Sequence, residues 1–236
     1  MKKILVLTLF TILLVQTSSS QILIALLFGD KLNSERIEFG LNVGANFSTL
    51  SNVDADSYSA GFNIGMNFVF KINDKFHLNP ALFFSYPMGA NFLPLYDTPD
   101  EDLNNVLNGG DLHRKLSYFS LPITMRYRLF GLTFIEAGPQ ISLKQNAVDV
   151  FSVTIQDRDE VVYNQNIREE YTLFDFGVTA GFTQKLRKQG GISISLKYYQ
   201  GLIDVSKNAT NQKNSAFYAT VAIPIGADPK DKKVKE

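Results

Sequence analysis

The 236-residue chain has no cysteine and no tryptophan, only two histidines, and no surplus of either charge, with 23 basic residues against 23 acidic. Without cysteine there is no disulfide, no thiol nucleophile and no thiolate-held metal. Nucleic-acid binding wants a clear basic excess, so no nucleic-acid partner is expected. His77 and His113 are the only side chains that ordinarily titrate near neutral pH. The sequence also lacks an unbroken apolar run of roughly 20 residues, the length a helix needs to cross a bilayer.

Two shorter apolar stretches stand at the front. Lys2 and Lys3 precede Ile4–Val15, which runs into Gln16-Thr17-Ser18-Ser19-Ser20. A basic start, a short apolar core and small residues at its end predict a secretory signal peptide over residues 1–20, cleaved before Gln21. No cysteine follows that point, which excludes a lipoprotein. Fusing this core with the second stretch, Ile22–Phe28, would put the five polar residues Gln16–Ser20 in mid-membrane, at considerable cost. What remains is enough for one domain, and no Pro/Gly/Ser-rich linker divides it.

From Arg36 the governing signal is alternation. Ile37, Phe39, Leu41, Val43, Ala45 and Phe47 interleave with Arg36, Glu38, Gly40, Asn42, Gly44 and Asn46. Period two over this length means a strand with one apolar and one polar face. Seven more such runs follow, near Tyr58–Ile72, Phe76–Tyr86, Tyr118–Leu129, Leu132–Lys144, Tyr171–Leu186, Ile192–Leu202 and Ser215–Ile225. Short turns at Asn73-Asp74, Phe130-Gly131 and Arg187–Gly191 alternate with longer connections, the longest being Gly89–Lys115 and Gln145–Glu170. Strands of this length, with short turns at one rim and long loops at the other, predict an all-β fold. Its form is an eight-stranded antiparallel up-and-down transmembrane β-barrel over residues 36–226, in the outer membrane and in contact with its lipid.

Alternation alone does not say which face meets solvent, and a lipocalin-like soluble barrel is the structural rival. The polar face carries few charges among Gly, Ser, Asn and Thr, whereas a water-facing exterior would be rich in Lys and Glu. The apolar face is large and aromatic, as a lipid-facing band is. The polar face therefore points inward, and eight strands leave a lumen that side chains fill. Its charges should pair, since an unpaired buried charge is costly. Glu38 and Glu136 are expected near Arg126 and Arg128 in the periplasmic half, with Asp175 and Lys197 completing a structural network. An even strand count puts both termini on the periplasmic side. Residues 227–236 then form a charged periplasmic tail. Residues 21–35 form a periplasmic segment whose Ile22, Leu23, Ile24, Leu26, Leu27 and Phe28 make a short apolar helix. A helix apolar all round seeks burial, in the barrel mouth or the adjacent lipid interface.

Four stretches also resemble a known family. "YFSLPITMRYRL" (Tyr118–Leu129), "FIEAGPQISLK" (Phe134–Lys144), "FDFGVTAGF" (Phe174–Phe182) and "LKYYQGLIDV" (Leu196–Val205) are similar to the PorT-type outer-membrane β-barrel family common in Bacteroidota. The resemblance covers about residues 36–226, and Pro122 with Gly138-Pro139 are its most telling positions, because proline is unusual inside a strand. It implies an eight-stranded outer-membrane barrel with no cofactor and, in the founding member, a link to protein secretion. The chain departs from many outer-membrane barrels by running past Pro224-Ile225-Gly226 into a polar tail.

Chemistry is sparsely signalled. His113, with Asp111 and Ser117 nearby, is the one grouping of a base, a carboxylate and a hydroxyl, and a polar surface loop accounts for it more simply. His77 falls on a lumenal face. The acidic run Asp97–Asp102 offers oxygen ligands of the kind calcium takes, but reads first as a solvated loop. No catalytic or metal-binding residue and no cofactor is assigned. The expected function is non-enzymatic: a structural or partner-binding outer-membrane component, possible secretion association included. Its protein partner would sit at the periplasmic rim or on the extracellular loops. A small pore or transporter is the alternative, and a lipid-modifying barrel enzyme a more distant one.

Overall fold

The structure is a computed structural model and describes residues 34, 36–155, 159–187 and 191–225. The expected signal peptide, the apolar residues Ile22–Phe28 and the charged tail 227–236 lie outside the described residues.

The strands are β1 (Ile37–Leu50), β2 (Ser57–Lys71), β3 (Phe76–Leu93), β4 (Asp111–Phe130), β5 (Thr133–Ile155), β6 (Asp159–Asn166), β7 (Phe174–Lys185), β8 (Ser193–Gly201) and β9 (Asn214–Pro224). A helix α1 (Glu101–Leu107) lies between β3 and β4. All neighbours are antiparallel. β1 pairs with both β2 and β9, and β5 with both β4 and β7, so eight strands close a ring. β6 is a ninth strand outside the ring and pairs with the far end of β5.

The alternation sorts the two faces. Phe119, Leu121, Ile123 and Met125 of β4, Ile135 and Ile141 of β5, and Phe176, Val178 and Phe182 of β7 are exposed on the outer wall. Ser120, Thr124, Arg126, Glu136, Gln140 and Thr179, between them in sequence, are buried in the lumen. Apolar outside and polar inside inverts a soluble barrel, and a continuous apolar exterior of this kind is stable only against hydrocarbon. Tight turns close the periplasmic rim. At the first, the Asn73 side chain accepts from the backbone N–H groups of Lys75 and Phe76, both at 2.9 Å. At the second, Gly131 takes a left-handed φ of 52° that a side chain would strain.

β4 and β5 have 20 and 23 residues, twice the roughly 9–11 that a tilted strand needs to span the bilayer. The surplus projects beyond the membrane on the long-loop side. Its base is marked by two β-bulges, at Phe84 in β3 and at Gln145 in β5, and the Gln145 amide donates to the Phe84 carbonyl at 2.7 Å. Past that height the outer wall of β4 turns polar, with Ser117, Lys115, His113 and Asp111, while Leu116 and Leu112 are buried on the inner side. The extra residue in β5 shifts its phase, so Ala147, Asp149 and Phe151 turn inward.

Two expectations change here. Of the connections expected as long loops, Gln145–Glu170 is largely strand and Gly89–Lys115 is strand at both ends with α1 between, because the strands run on past the membrane with their polarity reversed. The lumen expected to be polar throughout is predominantly polar only in its periplasmic half, and farther out a few buried polar groups such as Asp175 and Asn214 sit among apolar and aromatic side chains. The outer half is an apolar and aromatic core that includes Met88, Leu112, Leu116, Phe151, Ile167 and Val205.

Candidate functional site: a layered lumen and its extracellular extension

The lumenal charges stand in layers. At the periplasmic mouth Glu38 meets Lys71 at 2.8 Å and Lys185 at 2.5 Å. One step inward Glu136, 3% exposed, accepts from Arg126 Nε at 3.1 Å and lies 3.1 Å from Lys197 Nζ. Thr124 donates to the same carboxylate at 2.6 Å, and Thr183 also donates to it. A buried carboxylate between two cations and two hydroxyls has its lone pairs satisfied, which is the condition for burying such charge without a large penalty. The layer is supplied by four consecutive strands of the ring, β4, β5, β7 and β8, so it lines one side of the lumen.

The next layer outward is different. Asp175 is fully buried, and its carboxylate accepts from the Asn214 amide at 2.8 Å. Among the described residues no cation pairs with it. Tyr86, Tyr118, Tyr199 and Tyr218 are buried with it in the outer lumen, and the Asn214 amide also reaches the Tyr118 hydroxyl at 3.2 Å. Two lumenal cavities, of about 10 and 20 Å3, open beside Tyr86 and beside Glu38. A single water fills a space of that size.

The extension carries its own network. Arg114 and Asp149 face each other across β4 and β5 and make a two-pronged pair, Nε to Oδ1 at 2.7 Å and Nη2 to Oδ2 at 2.5 Å. The Tyr96 hydroxyl donates to Asp149 at 2.9 Å, and Arg114 Nη1 donates to the Tyr171 hydroxyl at 3.1 Å. Tyr171 in turn donates to Gln212 at 2.9 Å. Burial pushes the Tyr171 phenol up to about 12, with the Arg114 guanidinium pulling the other way. Burial and the Asp149 carboxylate raise Tyr96 above the ordinary tyrosine value. Tyr171 and Gln212 belong to loops that fold across the mouth. The Thr172 N–H donates to the Val205 carbonyl at 2.8 Å, Val205 N–H to the Gln212 carbonyl at 2.8 Å, and Lys207 N–H to the Glu170 carbonyl at 2.8 Å.

Of the charges singled out in the sequence, the structure brings Glu136, Arg126 and Lys197 together. Glu38 is not with them: its partners are Lys71 and Lys185, because its position at the end of β1 puts it at the mouth. Arg128 makes no ion pair among the described residues and instead lies over the Phe134 ring, 5.4 Å from its centroid. Asp175 stands apart at the other end of the lumen. His77 is buried against Phe134, ring centres 5.1 Å apart. His113 packs on Phe92, and no hydrogen bond joins it to Asp111 or Ser117 among the described residues. Asp100 caps α1, accepting from Asp102 N–H at 3.0 Å and Leu103 N–H at 3.3 Å. Among the described residues no group of three or more His, Asp or Glu is placed to hold a metal. Arg114 and Asp149 escaped sequence reasoning because they fall in strand segments with the reversed pattern, and Tyr96 because it lies in the irregular connection after β3. The register of β4 against β5, once extended past Gln145, would have paired the first two.

The profile of the outer membrane protein beta-barrel domain family matches residues 16–207. No curated protein matches the chain. Among solved structures it is similar to Ail, the attachment invasion locus protein of Yersinia pestis, at 10% identity and a TM-score of 0.44, covering 81% of this chain and 100% of that one. Neisserial surface protein A shows 14% identity and a TM-score of 0.39 over 80% of this chain and 99% of its own. OprG from Pseudomonas aeruginosa shows 10% identity and a TM-score of 0.38 over 83% and 96%. Likenesses at this level say nothing of activity.

Proposed function

The chain belongs to the outer membrane protein beta-barrel domain family, and from that premise we propose that it is a closed, non-enzymatic barrel that displays its extracellular extension to a partner. It resides in the outer membrane. The observation that carries the reading is the Glu136–Arg126–Lys197 layer, buried inside the lumen beneath a folded cap. A solute path through it would need two buried ion pairs to part. The work of the molecule then falls on the extension, built on the surplus length of β3, β4 and β5 and unnecessary for crossing the membrane. The narrower PorT-type kinship and its link to secretion belong to the same proposal, with the partner docking on this face or at the periplasmic rim.

Planar-bilayer recording of the refolded protein tests the closed lumen, and no steady conductance is expected. A steady conductance in the wild type that Arg126→Ala abolishes would overturn the reading. Cross-linking in native outer membrane, followed by co-purification, tests the display role. A stable partner attached through the extension supports it.

A further inference from the structure

A hollow of about 300 Å3 opens on the extension where the β3–β4 connection meets the outer end of β5. Its walls include the rings of Tyr96 and Phe151, the Asp97 carboxylate and the amides of Asn105 and Asn108. The walls are set before any ligand arrives. The bond from Tyr96 to Asp149 holds the Tyr96 ring edge-on to Phe151, at 5.2 Å and 70°. Asn104 locks the connection, accepting from the N–H and hydroxyl of Thr98, both at 2.7 Å, and donating to the Thr98 carbonyl at 3.0 Å. The polar groups left free by these bonds are Asp97, Asn105 and Asn108, all exposed and without a hydrogen-bond partner among the described residues. No lysine or arginine occurs from Pro94 to Leu112, whereas Asp97, Asp100, Glu101, Asp102 and Asp111 do.

We infer that this hollow binds a neutral hexose unit of a glycan, an inference that rests on the extension being the working face. A carboxylate and two amides offer acceptors and donors together, the complement of neighbouring hydroxyls on a sugar ring. The aromatic walls match the apolar C–H surface of a pyranose. The volume stands at the lower end of small-ligand pockets, about 300–1,000 Å3, which suits one ring with its neighbours outside. The surrounding carboxylates repel sulfate, phosphate and sialic acid, so selectivity is built in as repulsion.

The test is a glycan array carrying neutral, sulfated and sialylated oligosaccharides, probed with dye-labelled, refolded full-length protein in detergent micelles. Retention of neutral hexose or N-acetylhexosamine glycans at least tenfold over the anionic ones is expected. Asn105→Ala with Asn108→Ala should weaken that binding at least tenfold, and so should Asp97→Lys, with heat-modifiable gel mobility unchanged. A preference for anionic glycans, no neutral glycan retained, or variants that bind like the wild type would each overturn the assignment. An empty array with a silent bilayer removes the sugar and leaves the closed barrel standing. Selective sugar binding by a conducting barrel does the reverse. Repeating the array with protein in vesicles of its own outer-membrane glycolipid separates two sources of the same chemistry. Binding that persists supports a glycan from outside the cell, and binding lost to competition supports the cell's own surface sugars.

Discussion

Among the described residues three carboxylates are almost wholly buried, and what surrounds each decides what it does. Glu136 has two cations and two hydroxyl donors, Asp149 has a two-pronged arginine and a tyrosine, and Asp175 has neutral partners alone, the Asn214 amide with the Tyr199 hydroxyl beside it. Glu136→Gln would leave Arg126 and Lys197 buried without their counter-charge, a loss of about 3–5 kcal/mol for a broken buried pair. Asp175→Asn removes a charge that no cation offsets, so its urea midpoint should equal or exceed that of the wild type. Denaturant titrations of both variants in detergent check the contrast. A midpoint for Asp175→Asn as low as that for Glu136→Gln would mean that the Asp175 charge is used. Tyr171 sets a pH limit on the cap. Its folded value, about 12, is above the ordinary tyrosine value of 10.0, so the neutral phenol is the form the fold favours. The stability this contributes is fully present below pH 10 and is lost as pH rises through about 12. Near-ultraviolet circular dichroism should therefore report reversible loosening in that window, and Tyr171→Phe should reduce it.

Single residues set the phase of whole strands, and Gln145 is the clearest case. The bulge there lets β5 keep Glu136 and Gln140 inward below and Ala147, Asp149 and Phe151 inward above. Deleting Gln145 shifts the upper segment by one residue and turns that inner set outward. The expected outcome is a barrel that still shows heat-modifiable mobility but whose extension is cut rapidly by protease. Equal protease resistance would mean that the bulge is dispensable. The same bulge explains what sequence reading reached. Within the bilayer the lipid imposes one rule on every strand, so the runs at Tyr118–Leu129 and Leu132–Lys144 were legible, and with them the ring and its direction. Beyond the bilayer water imposes the opposite rule. Leu112 and Leu116 go in, Lys115 and Asp111 come out, and the inserted Gln145 breaks the count. Two strands with a reversed and shifted pattern read as loops. In the lumen, Glu136 and Arg126 were legible as a pair because they are cross-strand neighbours of β4 and β5. Lys185 lies on β7 and Glu38 on β1, and these two strands are not adjacent in the ring. Their meeting depends on how the barrel closes, which no local pattern carries.

At the scale of the whole molecule the layers act in series. From outside to inside they are the folded loops of the cap, the tyrosine layer around Asp175, the Glu136 layer, and the Glu38 cluster at the mouth. Three kinds of interaction hold them: backbone hydrogen bonds and apolar burial in the cap, aromatic packing in the second layer, and ion pairs in the last two. Removing one leaves the others in place, because no hydrogen bond of the cap reaches the Glu136 layer among the described residues. Replacing Ile203–Gln212 by a short Gly/Asn turn should therefore leave the bilayer silent, although it strips Val205 and Gln212 from the mouth. The triple change of Glu136, Arg126 and Lys197 to Ala should also stay silent, while its denaturation midpoint changes. A conducting cap replacement would show that the layers beneath it leak, and a conducting triple variant that the tyrosines do not seal. Silence in both would place the barrier in the stack, as expected of a barrel whose interior supports a surface and is not a route for solutes.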